Sequence, residues 1–165
     1  MSLLSSVSRI NITKVISVTP TITASSAYVA GYQVGGIMTL TDAIRMDTQT
    51  GLGVSELVSI TILDKAKQDA AINVFLFSAS PTLASSDHAA FDLTDANLIA
   101  ACIGVVSVGT TYVDTVSNSV SSTVNLNLPL QITSGTNLYA VATTSGTPTY
   151  ASTSDLVFKF GFFVD

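Results

Sequence analysis

Between Thr123 and Thr133 every second residue is apolar: Val124, Leu126, Leu128, Leu130 and Ile132 alternate with Asn125, Asn127, Pro129 and Gln131. A helix would scatter these five side chains around its axis, whereas a strand puts them on one face and predicts that this face is buried. Pro129 has no amide hydrogen to give to a ladder, so the strand is expected to lie at a sheet edge or to bulge there. The period returns at the C-terminal end, where Leu156, Phe158, Phe160 and Phe162 share a face and Lys159 and Gly161 take the other.

Further strands are expected over residues 16–22, 34–41, 57–63, 103–108, 110–116 and 138–144. Residues 72–77 are apolar on both faces (Ile72, Val74, Leu76 against Phe75, Phe77), which predicts a central strand covered on both sides. Gly35-Gly36 interrupts a strand pattern and predicts a bulge or a close backbone approach. One helix of about two turns is expected after Thr94, which can cap it. Asp95 lies in its first turn, Leu93 is placed to staple onto Leu98, and Leu98, Ile99 and Cys102 form the expected apolar face. The Asp64–Asp69 stretch, densest in charge, is expected as an exposed connection. These elements predict an all-β, jelly-roll-like antiparallel β-sandwich of about eight strands with one short helix. Residues 1–13 have weak periodicity and are expected as an N-terminal arm, with residues 14–165 forming a single β-sandwich domain.

Charge bears on function. Only 10% of the residues are charged, against about 25% in an ordinary soluble protein. Serine and threonine, 22 of each, supply the polarity instead. A surface of hydroxyls costs little to desolvate, and interface cores are depleted in charge, so the composition points to an assembly role. Six basic residues scattered along a chain of net charge −5 form no stripe for phosphates, so no direct nucleic-acid binding is expected. The longest apolar run, residues 98–106, is far short of the roughly 20 residues of a spanning helix, so no membrane partner is expected. Met1 to Ser6 lacks the basic region of a signal peptide, and Cys102 is the one cysteine, so an intracellular site of assembly is expected.

Chemistry-bearing residues are few. His88 stands among Asp87, Asp92 and Asp95, a grouping that can be read as metal ligands but is better explained by a turn and the helix start. No Gly-x-Ser-x-Gly elbow frames any serine, and Cys102 is expected to be a buried, inert thiol. Asn11-Ile12-Thr13 matches a glycosylation acceptor, which has meaning only in a secreted chain. No catalytic residue, metal or cofactor is expected, and the chain is expected not to be an enzyme. Tyrosines suit subunit interfaces, so Tyr28, Tyr32, Tyr112 and Tyr150 are candidate interface residues, with Ile10 and Ile12 from the arm.

The segment from Ser25-Ser26-Ala27-Tyr28-Val29-Ala30 through Gly31-Tyr32-Gln33-Val34-Gly35-Gly36 resembles an N-terminal block of small structural proteins of tailed bacteriophages. The 72–77 strand with Pro81 and the Asp87-to-Asp95 block are similar to that group, as is the end from Leu138-Tyr139-Ala140-Val141 through Gly146-Thr147-Pro148 to Ser154-Asp155-Leu156. These blocks cover most of the chain beyond about residue 25. The resemblance implies a capsid decoration or cement protein, a homotrimer on the virion surface, assembled in the host cytoplasm and bound to the major capsid protein. It brings no active-site residues. Residues 1–24 are then expected to help bind the shell. The alternative expectation is a head-fibre, knob or tail-associated module that binds host glycans, with sugar-stacking residues among Tyr28, Tyr32, Tyr112, Tyr139 and Tyr150.

Overall fold

The computed structural model describes residues 12–164. Its strands, in chain order, are β1 (Ile12–Val18), β2 (Gln33–Leu40), β3 (Arg45–Met46), β4 (Gly53–Asp64), β5 (Ile72–Phe77), β6 (Cys102–Val108), β7 (Val113–Asp114), β8 (Ser119–Ile132), β9 (Leu138–Thr144) and β10 (Leu156–Val164). One helix, α1 (Asp95–Ala101), precedes β6. One sheet runs β1-β10-β4-β8-β7 with β3 added to the end of β4; the other runs β2-β9-β5-β6. All pairings are antiparallel. With the two-residue strands β3 and β7 set aside, the eight long strands divide four and four between sheets that exchange consecutive strands, the arrangement of a jelly roll.

Apolar side chains of alternate residues fill the space between the sheets. From β10 come Leu156, Phe158, Phe160 and Phe162, from β4 Leu57, Ile60 and Ile62, and facing them Leu138, Ala140 and Ala142 of β9 and Ile72, Val74 and Leu76 of β5, all fully buried. Full burial of one such large side chain stabilises the fold by about 1.5–3 kcal/mol. Residues 72–77 form an interior strand, as the two-faced pattern predicted. Their outer face (Phe75, Phe77) meets the excursion 78–101, where Phe91 lies 4.8 Å from Phe75 between ring centroids and Leu83 and Leu93 close a second, smaller core.

Several elements differ from the sequence expectation. Val124 is 59% exposed, although Leu130 and Ile132 are buried. The cause is a wide bulge: Leu57 and Ser59 of β4 pair with Leu128 and Val124, so three residues of β8 stand opposite Val58 alone. Asn125 (φ 57°) and Asn127 (φ 46°) take the left-handed backbone that asparagine tolerates. Upstream of the bulge the phase reverses, and Ser119 and Ser121 point inward. Pro129 sits in β8 beyond the part covered by β7, where β8 is the sheet edge.

The strand expected over 110–116 shrinks to Val113–Asp114, because a turn closed by Thr115 and Asn118 reverses the chain and leaves Val116 at its tip. The strand expected over 16–22 begins and ends earlier, at Ile12–Val18, so residues 12 and 13 belong to the sheet rather than to the arm, paired with Val164 and Phe163. Residues 1–11 of the expected arm lie outside the described residues.

The helix starts at Thr94, whose side chain accepts from the Asn97 amide. The apolar face expected of it does not form, since Ile99 is 84% exposed and Leu98 is exposed as well; only Ala101 is buried. Asn97 fastens the helix instead, exchanging hydrogen bonds with the backbone of Thr82. Cys102 follows as the first residue of β6, so the apolar run 98–106 is split between helix and strand. Among the described residues no helix is long and apolar enough to cross a membrane.

Truncating Phe160 to alanine should cost about 3–5 kcal/mol, whereas Val124→Ala should change stability by less than about 0.5 kcal/mol. Urea unfolding of the two variants checks this, and equal losses would contradict the inward and outward assignment across the β8 bulge.

Candidate assembly surface

The outer face of the six-stranded sheet is built from the residues that alternate with the core. The register lays them out in rows across β1, β10, β4 and β8: Thr13, Phe163, Glu56, Pro129; then Val15, Gly161, Ser59, Val124; then Ser17, Lys159, Thr61, Ser122. A fourth row holds Val157, Leu63, Val120 and Val113. Within these four rows only Glu56 and Lys159 are charged; Arg45 of β3, beside the outward Val54, adds a third charge at the end of the face. Val15 (62%), Val124 and Phe163 (39%) present apolar surface to solvent. In the row of Val15 and Val124, Gly161 lies so close to the Ser59 hydroxyl that a side chain there would collide with it.

The face ends at β1, an edge strand whose outer backbone has no partner strand among the described residues. Edge strands are commonly guarded by an outward lysine. Here Lys14, the one charged residue of β1, is turned to its own chain, with Nζ donating to the carbonyls of Thr41 (3.2 Å) and Asp42 (2.8 Å). A charge-poor face thus continues into an edge of the same character.

The tyrosines assigned to an interface from the sequence stand elsewhere. Tyr28 and Tyr150 are each 1% exposed and meet edge to face in the core, 5.8 Å apart between centroids, so neither ring can reach a partner. Tyr112 is half-buried and its hydroxyl donates to the Ala70 carbonyl at 2.9 Å. Tyr32 is half-buried against the His88 ring. Ile12 is 49% exposed at the open end of β1, and Ile10 lies outside the described residues. The sequence reading did not single out Val15 and Phe163, which alternate with the core residues of β1 and β10, nor Val124, whose outward direction depends on the register shift in β8.

The group around His88 is structural. Asp87 accepts from the Thr23 hydroxyl (2.6 Å), the Tyr28 hydroxyl (2.7 Å) and the Gly35 amide (2.5 Å), so its carboxylate ties the 20s loop, β2 and the excursion together. Burial, then the hydrogen bond to Asp87, raises the Tyr28 hydroxyl pKa well above the usual tyrosine value. Gly35 (φ 74°) makes both of the features its sequence suggested: the β2–β9 register shifts there, and a Cβ would lie 2.5 Å from that of Pro20. His88 itself, at φ 61°, directs Nε2 to the Ala27 carbonyl at 2.9 Å and packs against Tyr28. Among the described residues no three His, Cys, Asp or Glu side chains converge as metal ligands.

Asp64 corrects the expectation of an exposed charged connection, for it is fully buried while Lys65 and Asp69 remain outside. It accepts from the amides of Ala66, Gln68 and Asp69 at 2.8–3.0 Å and so folds the whole turn around itself. Desolvation outweighs these bonds and raises its pKa above the ordinary aspartate value.

Compared with known proteins, the chain matches no family model, no curated protein and no solved structure.

Because the folded pKa of Asp64 exceeds the unfolded one, the native state keeps this proton to higher pH. Its contribution to stability is greatest below the unfolded value of about 3.9 and declines as pH rises through the folded value. On acidification from about pH 7 to about pH 4, the urea midpoint of the natural chain should rise relative to that of Asp64→Asn. A constant difference between the two midpoints would contradict the raised pKa.

Proposed function

We propose that this chain is a structural virion protein that decorates or cements a bacteriophage capsid shell, acting through protein–protein contacts as a homotrimer on the major capsid protein. The observation that carries this reading is the charge-poor outer face of the six-stranded sheet and the open β1 edge beside it. Covering hydroxyls and valines removes little favourable hydration, whereas burying unpaired charges would be costly. In this reading the face and its edge join the three copies, and residues 1–11, which precede β1, help hold the trimer to the shell.

Magnitudes support a division of labour. Four strands about 4.8 Å apart, each contributing about seven residues of about 3.3 Å, make a face of roughly 450 Å². A stable interface covers about 800 Å² on each partner, so the face needs the adjoining edge to complete it. Attachment to a shell needs no single strong contact, because three arms on one trimer bind with avidity. Threefold closure also matches a site where three capsid subunits meet.

Deleting residues 1–11, which leaves all of β1 in place, should give a folded protein that co-sediments with undecorated heads at least tenfold more weakly than the full chain. Undiminished binding would remove the arm from the attachment mechanism. Failure of the full chain to bind heads at all would overturn the proposed function.

A further inference from the structure

At one end of the four-stranded sheet, where β5 leaves and β9 enters, Ser78, Ser80, Ser134, Thr136, Asn137 and Tyr139 line a shallow open cleft of about 260 Å³. Every polar group in this lining is neutral. Asp42, outside the lining, holds two of these residues: its amide donates to Asn137 Oδ1 (3.0 Å) and its carboxylate accepts from the Thr136 hydroxyl (2.8 Å). These bonds fix two of the lining side chains. Asn137 is left with its Nδ2 hydrogens to offer, and Thr136 with oxygen lone pairs. The hydroxyls of Ser80, Ser134 and Tyr139 have no hydrogen-bond partner among the described residues. The Tyr139 ring, half-buried against the second core, adds an aromatic surface to the cleft.

A ligand for such a site must be neutral, because nothing in the lining compensates the lost hydration of a phosphate, carboxylate or cation. It must carry several groups that both donate and accept, to meet hydroxyls that do the same. It also needs an apolar patch for the tyrosine ring, and must be small, since pockets for drug-sized molecules start at about 300 Å³. A pyranose ring meets all four requirements. We propose that this cleft binds one ring of a neutral glycan. The site is independent of the shell-binding reading, for it lies at the end of the other sheet.

The test is a nitrogen–proton NMR titration of the intact chain with D-glucose, D-galactose, D-mannose and N-acetylglucosamine, with inorganic phosphate as the charged comparison. At least one sugar should shift the amides of residues 78–80 and 134–139 saturably, with Kd on the order of 1 mM. Phosphate should not. Tyr139→Leu should weaken that sugar at least tenfold, and the exposed Ser134→Ala, which disturbs no packing, about threefold. Absence of shifts at these residues with all four sugars, equal shifts with phosphate, or binding unchanged in both variants would overturn the proposal.

Discussion

The row of phenylalanines on β10 is what the rest of this molecule is arranged around. Phe158, Phe160 and Phe162 point the same way from a strand that keeps strict alternation from Leu156 to Val164, and all are fully buried. Their neighbours accommodate them. β4 inserts Val58 as an extra residue opposite the step from Gly161 to Phe162, which lets both Leu57 and Ile60 face inward although three positions separate them. β8 compensates with its asparagine bulge. Register slips of this kind would turn a strand's apolar residues to solvent if left uncorrected. Here they occur where Asn125 and Asn127 can adopt a left-handed backbone.

With so few charges, the loops are organised largely by carboxylates that accept from backbone amides and hydroxyls, with one ion pair between Lys67 and Asp114 beside them. Asp64 gathers three amides of one turn, Asp87 joins three separate segments, and Asp155 accepts from the amides of Ala151 and Ser152 at 2.8–2.9 Å. Amides on a carboxylate make charge-assisted bonds, stronger than neutral ones. Asp64 and Asp155 are thereby withdrawn from the surface, while Asp87 stays half-buried. The same economy shapes the edge, where Lys14 is tied to the backbone of residues 41 and 42.

The fold class was legible because period-two alternation is a local property: residues 72–77 and 138–144 coincide with β5 and β9. What the sequence concealed was non-local. Nothing in Asn125-Leu126-Asn127 indicates that Val124 belongs to the opposite phase from Leu130, because the bulge exists only against Val58 of a strand some 65 residues away. The helix cap at Thr94 could be read, but the buried side could not, since Ala101 docks and Ile99 does not. Tyr28 and Tyr150 were assigned to an interface on residue type alone. Tyr28 is held inside by its hydrogen bond to Asp87, and Tyr150 packs edge to face against it across more than 120 residues of chain. On the candidate surface the outward direction of Val124 depended on the β8 register shift, whereas Val15 and Phe163 alternate with the core residues of their strands.

A sheet face with two charges in its four rows, bordered by an edge strand that has no partner among the described residues, is a surface that another copy of the chain can cover at little cost in hydration. The mass of the full chain in solution, measured by light scattering on a size-exclusion column, tests this most directly. It should be three times the 17.1 kDa of one chain. Glutamates placed together at Val15 and Val124, exposed positions outside the core, should reduce it to one chain without unfolding. A monomeric natural chain, or a trimer indifferent to both glutamates, would contradict the assignment of this face to assembly.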